Sequence, residues 1–291
     1  MASKFKHIGI MSQNAPRLFK FYECLFDFRK SSAESSPDSE AEYAKAFGYT
    51  VLGSKRVATP FDRTIIASDG NIGVAFNRRR PGYNGGLDHF GIEVDDLDET
   101  FNRIKKYPSI EIVKRPSNRP FADYSTHDPE GHIFDLMQPG KKDVKGVWLD
   151  PNRKQERSIK HFTMRVMNPE ALAEFYIDVY GFKEEEKALE DPNFYLTDGT
   201  VTLVLTPWKI KDYYGTEHKA PGMDHVGFKV ENLEVFKKDV ETLRTADPEW
   251  LAPKSPNLEA EYNVVLGLLQ SCRYGKHQLP DPEGNLIDVS E

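Results

Sequence analysis

The sequence predicts an α+β protein assembled from four strand-helix-strand-strand-strand modules, two in each half of the chain. Three observations carry this. A strand-borne His, a second strand-borne His and an Asp seven residues past the start of a DPEG turn occur as His7, His89 and Asp135, and again as His161, His225 and Asp288. With His7 set on His161 without a gap, Asn14 falls on Asn168, Phe21-Tyr22 on Phe175-Tyr176 and Phe28 on Phe182, while His89 on His225 brings Val94 onto Val230 and Leu97 onto Leu233. Finally, β-rich runs and helically spaced apolar positions follow one another in the same order in both halves.

In the first half, KHIGI opens as a strand, Asp69-Gly70 turns the chain into NIGVAF, and LDHFGIEV begins a second cycle. That cycle closes at Asp128 to Gly131. A DPEG sequence places Pro second and Gly fourth in a type I turn, which launches HIFDL in a fixed direction. In the second half an apolar strand over 160–167 ends at Asn168-Pro169, a helix cap followed by a first-turn proline. Leu172, Phe175, Tyr176 and Val179 then recur at helical spacing. FYLTDGTVTLVL reads as a hairpin about Asp198-Gly199, DHVGFKV as the next strand, 232–245 as a helix, and NLIDV as the strand launched by the second DPEG. These elements divide the chain into domains at 1–140 and 158–291 with a charged linker at 141–157. Residues 31–45 and 246–263 interrupt the repeat as polar surface loops or lids.

A chain of 291 residues with 38% hydrophobic content can bury two sizeable cores. Its net charge of −7 gives no basic face for nucleic acid, and no apolar stretch is long enough to span a membrane. Cys24 and Cys272, without CxxC spacing, read as packed thiols of a reducing compartment, and the cytoplasm is the expected location. Expected partners are a small-molecule substrate and O₂, with a homo-oligomer left open and neither nucleic acid nor membrane among them.

Two imidazoles and one carboxylate form the donor set that holds Fe(II) on one face and leaves the remaining positions open. The metal ligands are therefore expected to be His161, His225 and Asp288, with a second site at His7, His89 and Asp135 and Tyr124 nearby. His218 and His277 are the expected acid/base residues, since an imidazole both accepts and donates a proton near neutrality. Tyr262 is the next candidate. His127 and His132, flanking the first DPEG turn, read as structural or exposed.

The DHxGxxV strands at 88–94 and 224–230, the Phe-Tyr helix pairs and the DPEG-to-carboxylate closures resemble the vicinal oxygen chelate superfamily, which includes glyoxalase I, bleomycin-resistance proteins and extradiol dioxygenases. The resemblance spans nearly the whole chain. It implies modules paired into an open, cup-shaped sheet with a metal at its floor, usually in the second half, and a two-domain layout like that of the extradiol dioxygenases. Glyoxalase-like sites take a fourth carboxylate from the last strand of the leading module; here those strands, NIGVAFN and TVTLVLT, hold no acid. The implied activity is Fe(II)-dependent extradiol-type cleavage of a small dihydroxylated aromatic, catechol-like or hydroquinone-like, in the C-terminal cup. The alternatives are a non-oxidative isomerase or lyase working through an enediolate with Mn(II) or Zn(II), and a metal-free binding or resistance protein.

Overall fold

The computed structural model describes residues 3–30, 64–79, 81–115, 122–140, 156–215, 219–248, 264, 267–268 and 272–291. The first half contributes β1 (Ser3–Ser12), α1 (Ala15–Phe26), β2 (Arg29–Lys30), β3 (Ile65–Ser68), β4 (Gly73–Arg78), β5 (Gly86–Val94), α2 (Leu97–Ile104), β6 (Ile112–Lys114), β7 (Tyr124–His127) and β8 (Ile133–Met137). The second half repeats this order with β9 (Ser158–Val166), α3 (Pro169–Tyr180), β10 (Lys183–Glu184), β11 (Phe194–Thr197), β12 (Thr202–Pro207), a 3-10 turn at Ile210–Tyr213, β13 (Gly222–Lys229), α4 (Leu233–Ala246), β14 (His277–Pro280) and β15 (Leu286–Ser290). Among the described residues the last module therefore has two strands after its helix. No described helix is long and apolar enough to cross a membrane.

The strands form two open mixed sheets, ordered β2-β3-β4-β1-β5-β8-β7-β6 and β10-β11-β12-β9-β13-β15-β14. In each, the leading strands of the two modules pair antiparallel at the centre, β1 with β5 and β9 with β13. Each leading strand also pairs parallel with the last strand of its own module, β1 with β4 and β5 with β8, then β9 with β12 and β13 with β15. The helices start where the residues say they should. Asn14 and Asn168 accept hydrogen bonds from Arg17 N and Ala171 N as N-caps, each followed by proline in the first turn.

The repeated motifs also join the two halves, and they do so reciprocally. Asp198 of the second hairpin accepts Phe5 N at 2.8 Å, while Asp69 of the first accepts Ile159 N at 2.7 Å. Glu283 of the second DPEG turn accepts Ser12 Oγ, Gln13 N and Asn14 N at the start of α1, and Glu130 of the first accepts Met167 N and Asn168 N at the start of α3. Tyr22 OH donates to Asp281 at 3.2 Å and Tyr176 OH to Asp128 at 3.0 Å, which is why the Phe-Tyr pairs carry a hydroxyl in a buried position. Around these bonds the halves share one core. Phe5 meets Phe162 and Phe182, and Phe26 stacks on Phe228 with ring centroids 3.8 Å apart.

Two outcomes follow from this shared core. Phe228 is buried against the first half, so Phe228→Ala should cost about 3–5 kcal/mol, and calorimetry should show the parent unfolding in one transition; two resolved transitions would separate the halves. Burial, partly opposed by hydrogen bonds from Asn285 and Glu283 N, pushes the Asp281 carboxyl up to about 6. A carboxyl raised in the folded state adds stability that is complete below its unfolded value near 4 and lost as pH rises through about 6. Asp281→Asn should flatten the pH dependence of the melting temperature in that window, an effect of up to ~3 kcal/mol.

Candidate metal centres

Each cup floor is built by the central antiparallel pair, and the geometry depends on four β-bulges. Phe5 pairs with Ile92 and His7 with Gly91, which leaves Lys6 as the extra residue; Gly9 pairs with His89 and Ile10 with Leu87, which leaves Asp88. In the second cup the extra residues are Lys160 and Asp224. Every candidate histidine ligand therefore directly follows a bulge. A bulge re-aims the side chains beside it, so a residue and its neighbour need not alternate between faces. Asp88 consequently reaches His89 Nδ1 at 2.7 Å and Asp224 reaches His225 Nδ1 at 2.8 Å, although each precedes its histidine by one position.

Register puts a glycine across from three of the four imidazoles. A Cβ at Gly9 would overlap the His89 ring, one at Gly91 the His7 ring and one at Gly227 the His161 ring. The fourth position is Thr163, whose Oγ1 lies 3.3 Å from His225 Nε2. The His-x-Gly spacing thus makes room for two rings that cross an antiparallel ladder.

In the N-terminal cup, Asp135 Oδ2 on β8 lies 3.6 Å from His7 Nε2 and 3.7 Å from His89 Nε2, Asp135 Oδ1 accepts from Ser125, and Arg115 Nε stands 3.9 Å away. In the C-terminal cup, Asp288 Oδ2 on β15 lies 3.6 Å from His161 Nε2 and 2.9 Å from His225 Nε2. The cups differ in access. The side chains of His161, His225 and Asp288 are 1%, 2% and 0% exposed, whereas His89 is 19% exposed. Tyr274 stacks on His161 at 5.1 Å, with its hydroxyl tied to Glu185 and Arg273.

Charge is arranged alike in both clusters. Burial lowers His7 and His161, so each favours the neutral imidazole a metal needs. Burial also disfavours charge on His89 and His225, but their aspartates outweigh it: His89 is raised, and His225 is lifted to about 9 by Asp288 and Asp224. Asp135 is held at about 2 and Asp288 lower still, because the facing histidines overcome the cost of burial. Asp224 lies well below its ordinary value, since Lys219, His225 and Arg165 outweigh its burial. These residues fit a divalent ion. Among the described residues, Asp288 Oδ1 and His161 Nδ1 are buried without a hydrogen-bond partner, and Asp88 and Asp224 orient their imidazoles as outer carboxylates do for metal-bound histidines.

The structure does not bring His277 to the cluster. On β14 it is Gln278 that pairs with Asp288; His277 pairs with Val289 and turns to the other face, against Phe236 of α4 at 6.3 Å. Burial there, with Lys237 and Arg244 nearby, lowers its pKa. Tyr124 is its counterpart. It pairs with Leu136, next to Asp135, and packs edge-on against Phe101 of α2. Strand alternation decides both cases, and the residues sharing the carboxylate's register are Ser125 and Gln278. His218 and Tyr262 lie outside the described residues, as do residues 141–155 of the linker and most of the two inserted segments. His132 bonds Asp128, and His127 accepts from Glu111 N.

The cysteine reading needs correction. Cys24 is exposed on α1 rather than packed. Cys272 is buried, as expected, but its Sγ is 3.9 Å from His161 Nε2, and burial pushes the thiol up to about 12. Nothing in the spacing of 161 and 272 signals this contact. The aspartates at 88 and 224 did have a signal, the repeated Asp-His pair.

A family model described as the Glyoxalase/Bleomycin resistance protein/Dioxygenase superfamily matches residues 4–136 and 158–289. The chain belongs to this superfamily. No curated protein matches the sequence. Among solved structures, this superfamily member is similar to the Mn(II)-bound glyoxalase from Novosphingobium aromaticivorans, with TM-score 0.59 and 13% identity over 98% of this chain and 81% of the other. It is also similar to the 2,3-dioxygenase LapB from Pseudomonas sp. KL28, with TM-score 0.60 and 12% identity over 98% and 91%. Homoprotocatechuate 2,3-dioxygenase from Arthrobacter globiformis gives TM-score 0.59 and 13% identity over 98% and 78%. At these identities the superfamily fold is what the structures share.

Asp224→Asn should weaken divalent-metal binding by roughly 10- to 100-fold, as loss of an outer carboxylate does, with little change in fold. A cleft of about 570 Å³ between the halves is lined by Asp88, Asp224, Lys219 and His225, and His225, its pKa raised to about 9, must lose a proton to bind a metal. Metal uptake should therefore release a proton and weaken as pH falls below about 9. Titration calorimetry in buffers of different ionisation enthalpy measures this; metal uptake without proton release would contradict it.

Proposed function

We propose that the protein is a divalent-metal enzyme that cleaves a small dihydroxylated aromatic with O₂ in the extradiol manner, using Fe(II) in its N-terminal cup. The observation that carries this reading is the set His7, His89 and Asp135: two imidazoles and a carboxylate converge, and the His89 ring is partly exposed, at 19%, while the other two side chains are buried. A three-ligand set of this kind retains positions for two further molecules. The likeness to LapB and to homoprotocatechuate 2,3-dioxygenase supports the same chemistry. The C-terminal cup, where the sequence placed the reaction, is the more closed of the two.

Bound Fe(II) would supply Lewis acidity and electron transfer from the ring to O₂. The protein's own part is positional. Asp88 holds His89 in the tautomer that presents Nε2, Ser125 fixes one oxygen of Asp135, and the Arg115 guanidinium, 3.9 Å from Asp135, would offer positive charge to substrate oxygens bound beside it.

The similarity to the Mn(II)-bound glyoxalase favours a second reading, a non-oxidative isomerase or lyase in the same cup. A metal-free binding protein would leave Asp288 Oδ1 buried with no hydrogen-bond partner among the described residues.

Anaerobically purified, Fe(II)-loaded protein should consume O₂ with at least one member of a catechol, hydroquinone and aminophenol panel. Asp135→Ala and His89→Ala should each lower that uptake by about a hundredfold or more, since even an outer-sphere change costs 10- to 100-fold. His161→Ala should retain uptake. Turnover of an α-hydroxycarbonyl substrate without O₂ would select the second reading.

A further inference from the structure

Cys272 belongs to no expected ligand set, yet it sits among one. Its Sγ, a nitrogen of His161 and an oxygen of Asp288 all lie within 4.8 Å of one another, and His225 Nε2 is 2.9 Å from the same carboxylate. The turn that delivers the thiol is tied down. Gly275 N donates to Cys272 O at 3.0 Å and Lys276 N to Val289 O at 3.3 Å, so the turn is clamped onto β15 beside the ligand Asp288. A Cβ at Gly275 would lie 2.9 Å from Asp288 Oδ2, so the missing side chain lets the turn close over the carboxylate. Independently of the thiol, Asp288 Oδ1 is fully buried and has no hydrogen-bond partner among the described residues, an arrangement that a bound cation would satisfy.

We propose that Cys272 is a fourth ligand in the C-terminal cup, making a closed His₂-Cys-Asp site for a thiophilic divalent ion of the Zn²⁺ class. Four protein donors of this kind complete a tetrahedral shell, and a completed shell holds structure rather than turning over substrate. A thiolate shifts preference toward zinc and away from the all-nitrogen-and-oxygen set of the first cup. Binding releases the thiol proton to solvent, and no redox change is involved. The two cups, alike in ancestry, thus divide the work: the first keeps positions open, and the second is sealed by the Cys272 to Gly275 turn.

This inference rests on the C-terminal cluster being a metal site, and its test reads binding rather than turnover, so its failure would leave the N-terminal reaction to be judged separately by O₂ uptake. The parent protein is titrated anaerobically with Co²⁺, and the near-ultraviolet band of thiolate-to-cobalt charge transfer is recorded. The N-terminal donors contain no sulfur, so the band reports the second cup alone. It should appear in the parent and in Cys24→Ser, and vanish in Cys272→Ser with at least a tenfold loss of affinity for one cobalt, since removing a ligand costs no less than removing an outer partner. As a check that needs no variant, X-ray absorption of the zinc-loaded parent should show a sulfur neighbour at about 2.3 Å. A parent without the charge-transfer band, a band that survives in Cys272→Ser, or a zinc shell of nitrogen and oxygen alone would overturn the assignment.

Discussion

The bulged antiparallel pairing of the leading strands is the constraint on which the sites depend. An undistorted ladder would alternate side chains strictly, sending Asp88 and His89 to opposite faces. The extra residue before each histidine removes that alternation, while opposite three of the four rings a glycine removes the side chain that would collide with the ring. One local irregularity, used four times, thus places two imidazoles beside a carboxylate from the neighbouring parallel strand. The buried like charges this creates are balanced locally, by His225 against Asp224 and Asp288 and by Lys6 against Glu93.

The same duplication fixes how the halves sit on one another. Each DPEG turn and each Asp-Gly hairpin serves the opposite half, capping a helix start or receiving an amide near the start of a strand. Because those contacts are reciprocal, the β5 and β13 strands, and with them Asp88 and Asp224, meet across a shared cleft. Interface and metal cluster are therefore built from adjacent residues. Asp281 binds the Tyr22 hydroxyl of the other half, while Asp288, seven residues on, faces the histidines.

Much of this was legible in the sequence, because the information was periodic. The doubled His, His and Asp, the Phe-Tyr helices and the DPEG turns each recur at matched spacing, so the modules, their order and the converging donors could be read. What could not be read involves either a change of face or a long-range contact. His277 follows from the register of β14, where a shift of one residue reverses the side-chain direction; His277 and Gln278 are indistinguishable by spacing alone. The partnership of Tyr22 with Asp281 spans 259 positions, and Cys272 with His161 spans 111, so no local pattern announces them. Asp69, Asp198, Glu130 and Glu283 looked complete as turn residues, and their second role appears only when the other half is in place.

The two cups then diverge through what surrounds the shared floor. Around the first, Ser125 and Arg115 approach Asp135 and leave His89 accessible; around the second, Cys272 and Tyr274 close on His161. The most direct test of the central claim, that glycine opposite histidine creates the metal sites, is the metal content of Gly91→Ala by elemental analysis after dialysis against Fe(II) or Zn(II). The account predicts about two ions bound per parent chain and one per chain in Gly91→Ala, because the new methyl occupies the space of the His7 ring while the C-terminal cup is untouched. A folded Gly91→Ala protein that binds as much metal as the parent would contradict it.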